Sequence, residues 1–442
     1  MTRRTRVACR RSLPPGSPKR VAALWRALAL PLVSLCAGSL LACWHEGTAG
    51  HEGKSLLLAL SVFESGPGGV KAGPARLVAL SQSKGGWRFR SVDDPDSNVF
   101  HKAMAIDAAL GGPGILTAGG SRAMLKVWRT GSAPLVVWEA TFGGRFSRMR
   151  DVEVADLYGD GRPVLVVATH DQGVVAVVRP TAGAFSAEEL DREADTIVHE
   201  VEVGDVDNDG TLEVYAARSL PNRMDGTPQP GSVVSYVPAR GEGRRQVADL
   251  ADRHAKEILV ADVDGDGHDE LYVSVEAVSG GVVEILRFDA GSLSTSGSRI
   301  ATINDAMCRC LTAGDVDGDG RKELVAAAHK SGVWLLRPGH DQNQPWTATS
   351  IDRNSSSIEH AALLADLDDD GVDELYVAND SGLEVNRYVW RGGLPVKETI
   401  YRYPKGADFM TWNISPASGD LVFSPTGAQP AGSPAPGAAL RP

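Results

Sequence analysis

The stretch ILVADVDGDGHDELYVS, residues 258–274, sets Asp262, Asp264 and Asp266 at alternate positions and follows them with Gly267 and then Glu270. These four carboxylates, set within nine positions, repel one another unless a cation neutralises them. An Asp-x-Asp-x-Asp run directs three side-chain oxygens to the inside of a tight loop, and the glycine permits the turn that returns the glutamate to the same point. Hard oxygen ligands in that number suit calcium. In a helix-loop-helix calcium loop the closing glutamate is twelfth and a helix follows. Here the acid is ninth and an apolar run follows, so the ligand chemistry is shared but the scaffold is not. An acidic β-turn without metal is the alternative reading.

The pattern recurs as DVDNDGTLEV from Asp205, DVDGDGRKEL from Asp315 and DLDDDGVDEL from Asp366. A fifth copy, DLYGDGRPVL from Asp156, has Tyr158 and Val164 where carboxylates are expected, and a sixth around Asp107 keeps only its apolar flanks. Successive first aspartates from Asp107 to Asp366 stand 49, 49, 57, 53 and 51 residues apart. Repeats of this length signal arrays and propellers.

Short strands must position these loops. HEVEVG or EHAALLA precedes a motif, LEVYAA or ELYVAN follows it, and runs such as GVVEILRF and SRIATI come third and fourth. Period-two alternation bounded by Gly, Asn and Asp favours strand over helix. SAEELDRE, residues 186–193, is the one segment that reads as a helical turn. Four antiparallel strands per unit make a propeller blade. Residues 55–92 supply three strands without a motif strand ahead of them, and 409–424 supply one or two with nothing after. Pairing the two fragments predicts an all-β, seven-bladed propeller, and closure removes the free edges an open array would expose.

The repeats resemble the FG-GAP/VCBS family of calcium-loop β-propellers, the kind that forms the head of integrin α subunits and occurs in bacterial surface proteins; the resemblance covers roughly residues 55–424. In that family the acidic loop joins the innermost strand of a blade to the next. The resemblance implies about four structural calcium ions. One would be held by Asp205, Asp207, Asp209, Glu213 and the carbonyl of Thr211, and a second by Asp262, Asp264, Asp266, Glu270 and the carbonyl of His268. A third would take Asp315, Asp317, Asp319, Glu323 and the carbonyl of Arg321, and a fourth Asp366, Asp368, Asp370, Glu374 and the carbonyl of Val372. The units at Asp107 and Asp156 depart from the pattern, which puts metal there in doubt.

If the acidic loops lie on one face, the starts of the innermost strands and the second-to-third-strand loops lie on the other, around the channel mouth. Six residues before each first aspartate stand His101, Arg150, His199, Lys256, Arg309 and His360. A ring of such residues is a candidate site for an anionic ligand; strand-edge salt bridging is the alternative. One step on, Lys102, Asp151, Glu200, Glu257 and Cys310 could pair with the ring or serve as acid and base. The longest unit gains its length in SLPNRMDGTPQPGS, residues 219–232, which overhangs the same face and offers Arg223 and Asp225. Cys308 and Cys310, at i and i+2 of a strand, are expected to point to one side as free thiols.

The first 42 residues carry eight basic residues, no acid, and the apolar run ALALPLVSLCAGSLLA that ends at Cys43. This run is too short for a span of about 20 residues and reads as a signal peptide. Leu40-Leu41-Ala42-Cys43 resembles the bacterial lipoprotein lipobox, in which the cysteine, here Cys43, is acylated; an ordinary secretory signal or an uncleaved anchor is the alternative. Without residues 1–42 the chain has 37 basic against 56 acidic residues, a formal charge of −19, the opposite sign to a nucleic-acid binder. Residues 43–54 read as a tether, and 425–442, rich in Pro, Ala and Gly, as a disordered tail.

The sequence contains no nucleophile elbow, metalloprotease helix or phosphate-cradling loop. The expectation is therefore a monomeric, calcium-stabilised propeller that binds a protein or an acidic glycan and is lipid-anchored at a bacterial outer membrane. The alternative is a polysaccharide-active enzyme, since some lyases resemble this architecture, working at the basic mouth.

Overall fold

The computed structural model describes residues 54–418, apart from 68, 84–85, 108–109, 111, 121, 144–146, 171, 182–183, 222–226, 279 and 294–295. Cys43, the leader, most of the tether, the 425–442 tail, Arg223 and Asp225 therefore lie outside the described residues. Among the described residues no helix is long and apolar enough to cross a membrane.

Seven four-stranded antiparallel sheets account for the 28 strands of the described residues. Strands β1 (Lys54–Gly66), β2 (Gly69–Ser83) and β3 (Gly86–Asp94) form blade 7 with the last strand, β28 (Asp408–Ser418). Blade 1 is β4 (Phe100–Ile106), β5 (Gly114–Gly119), β6 (Ala123–Trp128) and β7 (Leu135–Ala140); blade 2 is β8 (Met149–Ala155), β9 (Val164–Thr169), β10 (Val175–Thr181) and β11 (Ala184–Asp191). Blade 3 is β12 (Ile197–Gly204), β13 (Glu213–Ser219), β14 (Gly231–Val237) and β15 (Glu242–Asp249); blade 4 is β16 (Ala255–Ala261), β17 (Glu270–Val275), β18 (Val283–Phe288) and β19 (Ser298–Ile303). Blade 5 is β20 (Cys308–Gly314), β21 (Glu323–Ala328), β22 (Val333–Arg337) and β23 (Thr347–Asp352); blade 6 is β24 (Ala362–Ala365), β25 (Glu374–Asn379), β26 (Glu384–Arg391) and β27 (Leu394–Arg402).

The ring closes as expected, with β1 paired to β28 from Lys54↔Ser418 to Phe63↔Asp408. Each second strand from β5 to β25 is buried along its whole length. Both of its faces meet neighbouring blades, which is why these strands read as unbroken apolar runs. Seven apolar clusters result, one at each seam between consecutive blades; Leu116, Met149 and Val167 belong to the seam of blades 1 and 2, for example, and Leu58, Tyr376 and Ile414 to that of blades 6 and 7. Fourth strands face water. SAEELDRE is one of them: residues 186–191 belong to β11 and pair with β10 from Val175↔Asp191 to Thr181↔Ala184. Its local helical preference yields to the open edge of β10, since pairing satisfies a row of backbone groups that a lone turn would leave to solvent.

Candidate functional site: acidic hairpins and a lined channel

The acidic motifs are the hairpins between first and second strands of blades 3 to 6. Their first aspartates organise the turns: Asp205 accepts the N–H groups of Asp209 (2.9 Å) and Gly210 (2.8 Å), Asp262 those of Gly265 (2.7 Å) and Gly267 (3.1 Å). Asp315 does the same for Gly318 and Gly320, and Asp366 for Asp370 and Gly371. Gly267, Gly320 and Gly371 have φ of +89°, +84° and +87°, which explains the glycine before the returning strand. Asp156 of blade 2 builds the same turn, accepting from Asp160 and Gly161, so the turn alone does not require the full acidic set.

Carboxylate oxygens of Asp205, Asp207, Asp209 and Glu213 lie within 4.8 Å of one another, as do those of Asp262, Asp264 and Glu270, of Asp315, Asp317 and Glu323, and of Asp366, Asp368 and Glu374. Asp266, Asp319 and Asp370 stand apart from these groups and accept the N–H of His268, Arg321 and Val372, as Asp209 accepts that of Thr211. The donor set, all hard oxygens, fits calcium. Burial pushes Glu213, Glu270 and Glu323 up to about 7 and raises Glu374, the behaviour of carboxylates packed without a full complement of positive charge.

Two bracing residues escaped sequence reasoning. Asp269 accepts the N–H of Asp205 (3.2 Å) and Asp373 that of Asp315 (2.8 Å), each from the next blade's hairpin. They occupy the position before the closing glutamate, where the other hairpins have Leu212 and Lys322, and that contrast was the available signal.

At the other end of the innermost strands, the pairing register slips at the same place in six blades. His101, Arg150, His199, Lys256 and Trp412 are the extra residues of bulges in β4, β8, β12, β16 and β28, and in β20 Arg309 with Cys310 opposes a single residue of β21. A bulge turns two successive side chains to one side. Both tiers noted in the sequence thus reach one polar cavity of ≈ 180 Å³, lined by His101, Lys102, Arg150, Asp151, Glu200, Glu202, Lys256, Glu257, Arg309 and Cys310 among others.

The first tier is charge-balanced rather than positive. Arg309 is held between Glu276 (2.7 Å) and Glu359 (2.9 Å), and Arg150 also reaches Glu359 (3.2 Å). Burial opposes ionisation of Glu276, but Arg309, His254 and Lys256 outweigh it and hold the carboxyl at about 2. Burial, seconded by Arg150 or Lys256, drives His101 and His199 well below the ordinary range, and burial beside Arg309 lowers Lys256 to about 7. His360 departs from the ring altogether: it is fully buried and bonds Ser355 and the Ala328 carbonyl. β24 carries no bulge, and Glu359 takes the channel position instead.

The second tier stitches the blades together. Asp151 accepts the N–H of Val201 in β12 (2.9 Å), and Glu257 that of Leu311 in β20 (2.7 Å). Thr312 and Asn413 do the same for Leu364 and Ala103. Lys102 pairs with Asp151 (2.9 Å) and Glu153. Burial, seconded by Asp151 and Glu257 at Glu200 and by Glu153 and Asp151 at Glu202, raises both carboxyls well above normal, and burial raises Glu257 to about 8. Trp412 of β28, edge-on to His101 at 4.5 Å and under Arg150 at 4.9 Å, completes the lining and was not foreseen, because no motif marks β28.

The two cysteines do not share a side. Cys308 packs in the seam of blades 4 and 5, whereas Cys310, beyond the slip in register, lines the channel and bonds the Ala362 backbone. Burial lifts both thiols, Cys308 to about 12.

A closed ring of seven four-stranded blades with acidic first hairpins is a β-propeller of the acidic-loop repeat class. Its repeats are FG-GAP-like: the model of the FG-GAP-like repeat matches residues 262–326 and 315–377, the hairpins of blades 4 to 6. No curated protein matches the sequence. Among solved structures, the chain is similar to a protein from Lactobacillus plantarum, with a TM-score of 0.52, 11% identity, and coverage of 83% of this chain and 100% of that one. It is also similar to a Synechocystis apocarotenoid oxygenase, with a TM-score of 0.50, 10% identity, and coverage of 85% and 95%. The Dos1 propeller gives a TM-score of 0.50 at 8% identity, with coverage of 80% and 85%. At such identities the likeness is one of fold.

Proposed function

We propose that the chain is a calcium-stabilised binding module whose ligand is a protein, held at a bacterial outer membrane by acylated Cys43. One observation carries this reading: much of the charge at the channel is spent on joints between blades. Asp151 and Glu257 cap neighbouring strands, and Arg309 spans Glu276 and Glu359. Such a scaffold is rigid and leaves recognition to its faces and loops, where propellers have room to vary. An acidic glycan is the less favoured ligand, because the tier expected to attract it is balanced by its own glutamates. The anchor rests on the basic and apolar leader and the Leu-Leu-Ala-Cys sequence.

A lyase-like enzyme is the second reading, favoured by Lys256, whose Nζ lacks a hydrogen-bond partner and lines the same cavity as Glu257. The full chain should be presented to protein partners and to acidic glycans with and without a calcium chelator, and incubated with uronate polymers. Protein capture that disappears with chelation, as the melting midpoint falls, supports the module. Unsaturated products that Lys256→Ala abolishes would replace it with the enzyme. Cys43→Ser should release the chain from the membrane fraction; retention there sinks the anchor.

A further inference from the structure

The four acidic hairpins share a motif but not an electrostatic setting. In blades 4, 5 and 6 an arginine of the third strand enters the carboxylate group. Arg287 of β18 lies 2.8 Å from Asp264 and 3.1 Å from Glu270; Arg337 of β22 lies 3.1 Å from Asp317 and 3.4 Å from Glu323. Arg387 of β26 lies 2.5 Å from Asp368 and also binds Glu374. In each case the guanidinium bridges the second aspartate and the closing glutamate, two of the oxygens a cation would need. Blade 2, which has lost those acids, keeps the arginine, with Arg179 of β10 stacked 3.9 Å over the ring of Tyr158.

Blade 3 is built otherwise. Arg287 and Arg387 stand opposite Tyr272 and Tyr376, and the matching partner of Tyr215 in blade 3 is Ser235. Arg337 and Arg179 stand two pairs further along, where the same register places Val237 in blade 3. Neither position supplies a cation. Arg240 binds Asp209 at 2.5 and 2.7 Å from the outside. Glu213, 2% exposed, accepts from Tyr215 through one oxygen, and its other oxygen has no hydrogen-bond partner, nor has Oδ1 of Asp207. This is also the hairpin in which all four carboxylates converge. A buried carboxylate oxygen left unpaired is costly, and a divalent cation among Asp205, Asp207, Asp209 and Glu213 would satisfy it with ligands of the hard class calcium selects.

We propose that the blade-3 hairpin is the chain's intrinsic divalent-cation site, and that in blades 4, 5 and 6 a guanidinium stands in the cation's place, so that those hairpins take an ion only by displacing it. The proposal refines the calcium reading given above and replaces four equal sites with one privileged site.

The test is titration of the metal-stripped full chain with calcium alone, followed by calorimetry and by ion counting in native mass spectrometry. One ion should bind at least tenfold more tightly than any other. Ser235→Arg should remove that tight ion, and Arg337→Ala, which leaves blade 3 untouched, should add a second ion of comparable affinity. Four ions of similar affinity in the wild type, no tight ion at all, or a tight ion that survives Ser235→Arg in a folded variant would overturn the proposal. Melting separates this from the broader reading. A single tight ion with an unmoved midpoint keeps the hierarchy and removes calcium's structural role, whereas four equivalent ions that raise the midpoint do the reverse.

Discussion

Replacing Arg309 with methionine tests whether the channel is a structural joint. Its guanidinium is 4% exposed and bridges Glu276 at 2.7 Å and Glu359 at 2.9 Å. Methionine fills similar volume but strands two buried carboxylates, and breaking a buried pair in this way costs about 3–5 kcal/mol. Arg150 still serves Glu359, and His254 still serves Glu276, which places the expectation nearer the lower figure. With an unfolding entropy of about 2.1 cal/mol/K per residue over residues 54–418, the thermal midpoint should fall by about 4–6 °C. The pH dependence identifies the cause. Both carboxyls are held below their ordinary value when folded, Glu276 at about 2, so their stabilisation is present above the unfolded value of 4.5 and is lost as pH falls toward 2. The defect of Arg309→Met should therefore be full at pH 7 and should shrink below pH 4.5, where both acids protonate. Adding Glu276→Gln and Glu359→Gln should restore most of the loss at pH 7. A midpoint within 1 °C of wild type, or a defect equal at pH 7 and pH 4, would refute the idea that this charge network holds the blades together.

Glu257 titrates in the other sense. Burial raises it to about 8 when folded, against 4.5 unfolded, so its protonated form is favoured and stability falls as pH rises from 4.5 to 8, by at most ~1.4 kcal/mol per pH unit for one proton. Glu257→Gln keeps an acceptor for Leu311 and should flatten that part of the denaturation profile; an unchanged slope contradicts the assignment. Gly314→Ala would set a Cβ 2.6 Å from Asp373 and 2.8 Å from Leu364 at the seam of blades 5 and 6, costing ~1–3 kcal/mol in urea unfolding. Gly243→Ala meets nothing within 4 Å and serves as control, and equal effects at both sites would sink the packing account. Residue-resolved thiol labelling at pH 8 should leave Cys308 and Cys310 unmodified until the chain unfolds, and rapid native labelling of either thiol would contradict their raised values.

The blade count was legible because the acidic motif marks the same hairpin at a spacing of about fifty residues, even in the worn copy at Asp156. Period-two runs located the strands, and the unmatched fragments at the two ends foretold the closing pair. Sequence reasoning failed where function depends on a local break in period. A bulge is invisible to alternation, so His101 with Lys102, or Lys256 with Glu257, read as opposite-facing neighbours although both belong to one channel. The neutralising acids were hidden for a related reason: Glu276 sits one residue past the end of a second strand and Glu359 one residue before His360, outside the position by which the units align. Arg287, Arg337 and Arg387 could be seen in sequence, but only the strand register brings them to the acidic hairpins.

Closure by β28 has a consequence for biosynthesis. Strands β1 to β3 leave the ribosome first, yet the strand that covers the inner edge of β1 is nearly the last to emerge, about 350 residues later. Until then the nascent chain carries a sheet with an unsatisfied row of backbone groups beside leucine-rich surface, the kind of edge that invites pairing with another chain. Premature termination between residues 402 and 408 would leave that edge permanently open, so the truncated product should aggregate even though six of its seven blades are complete.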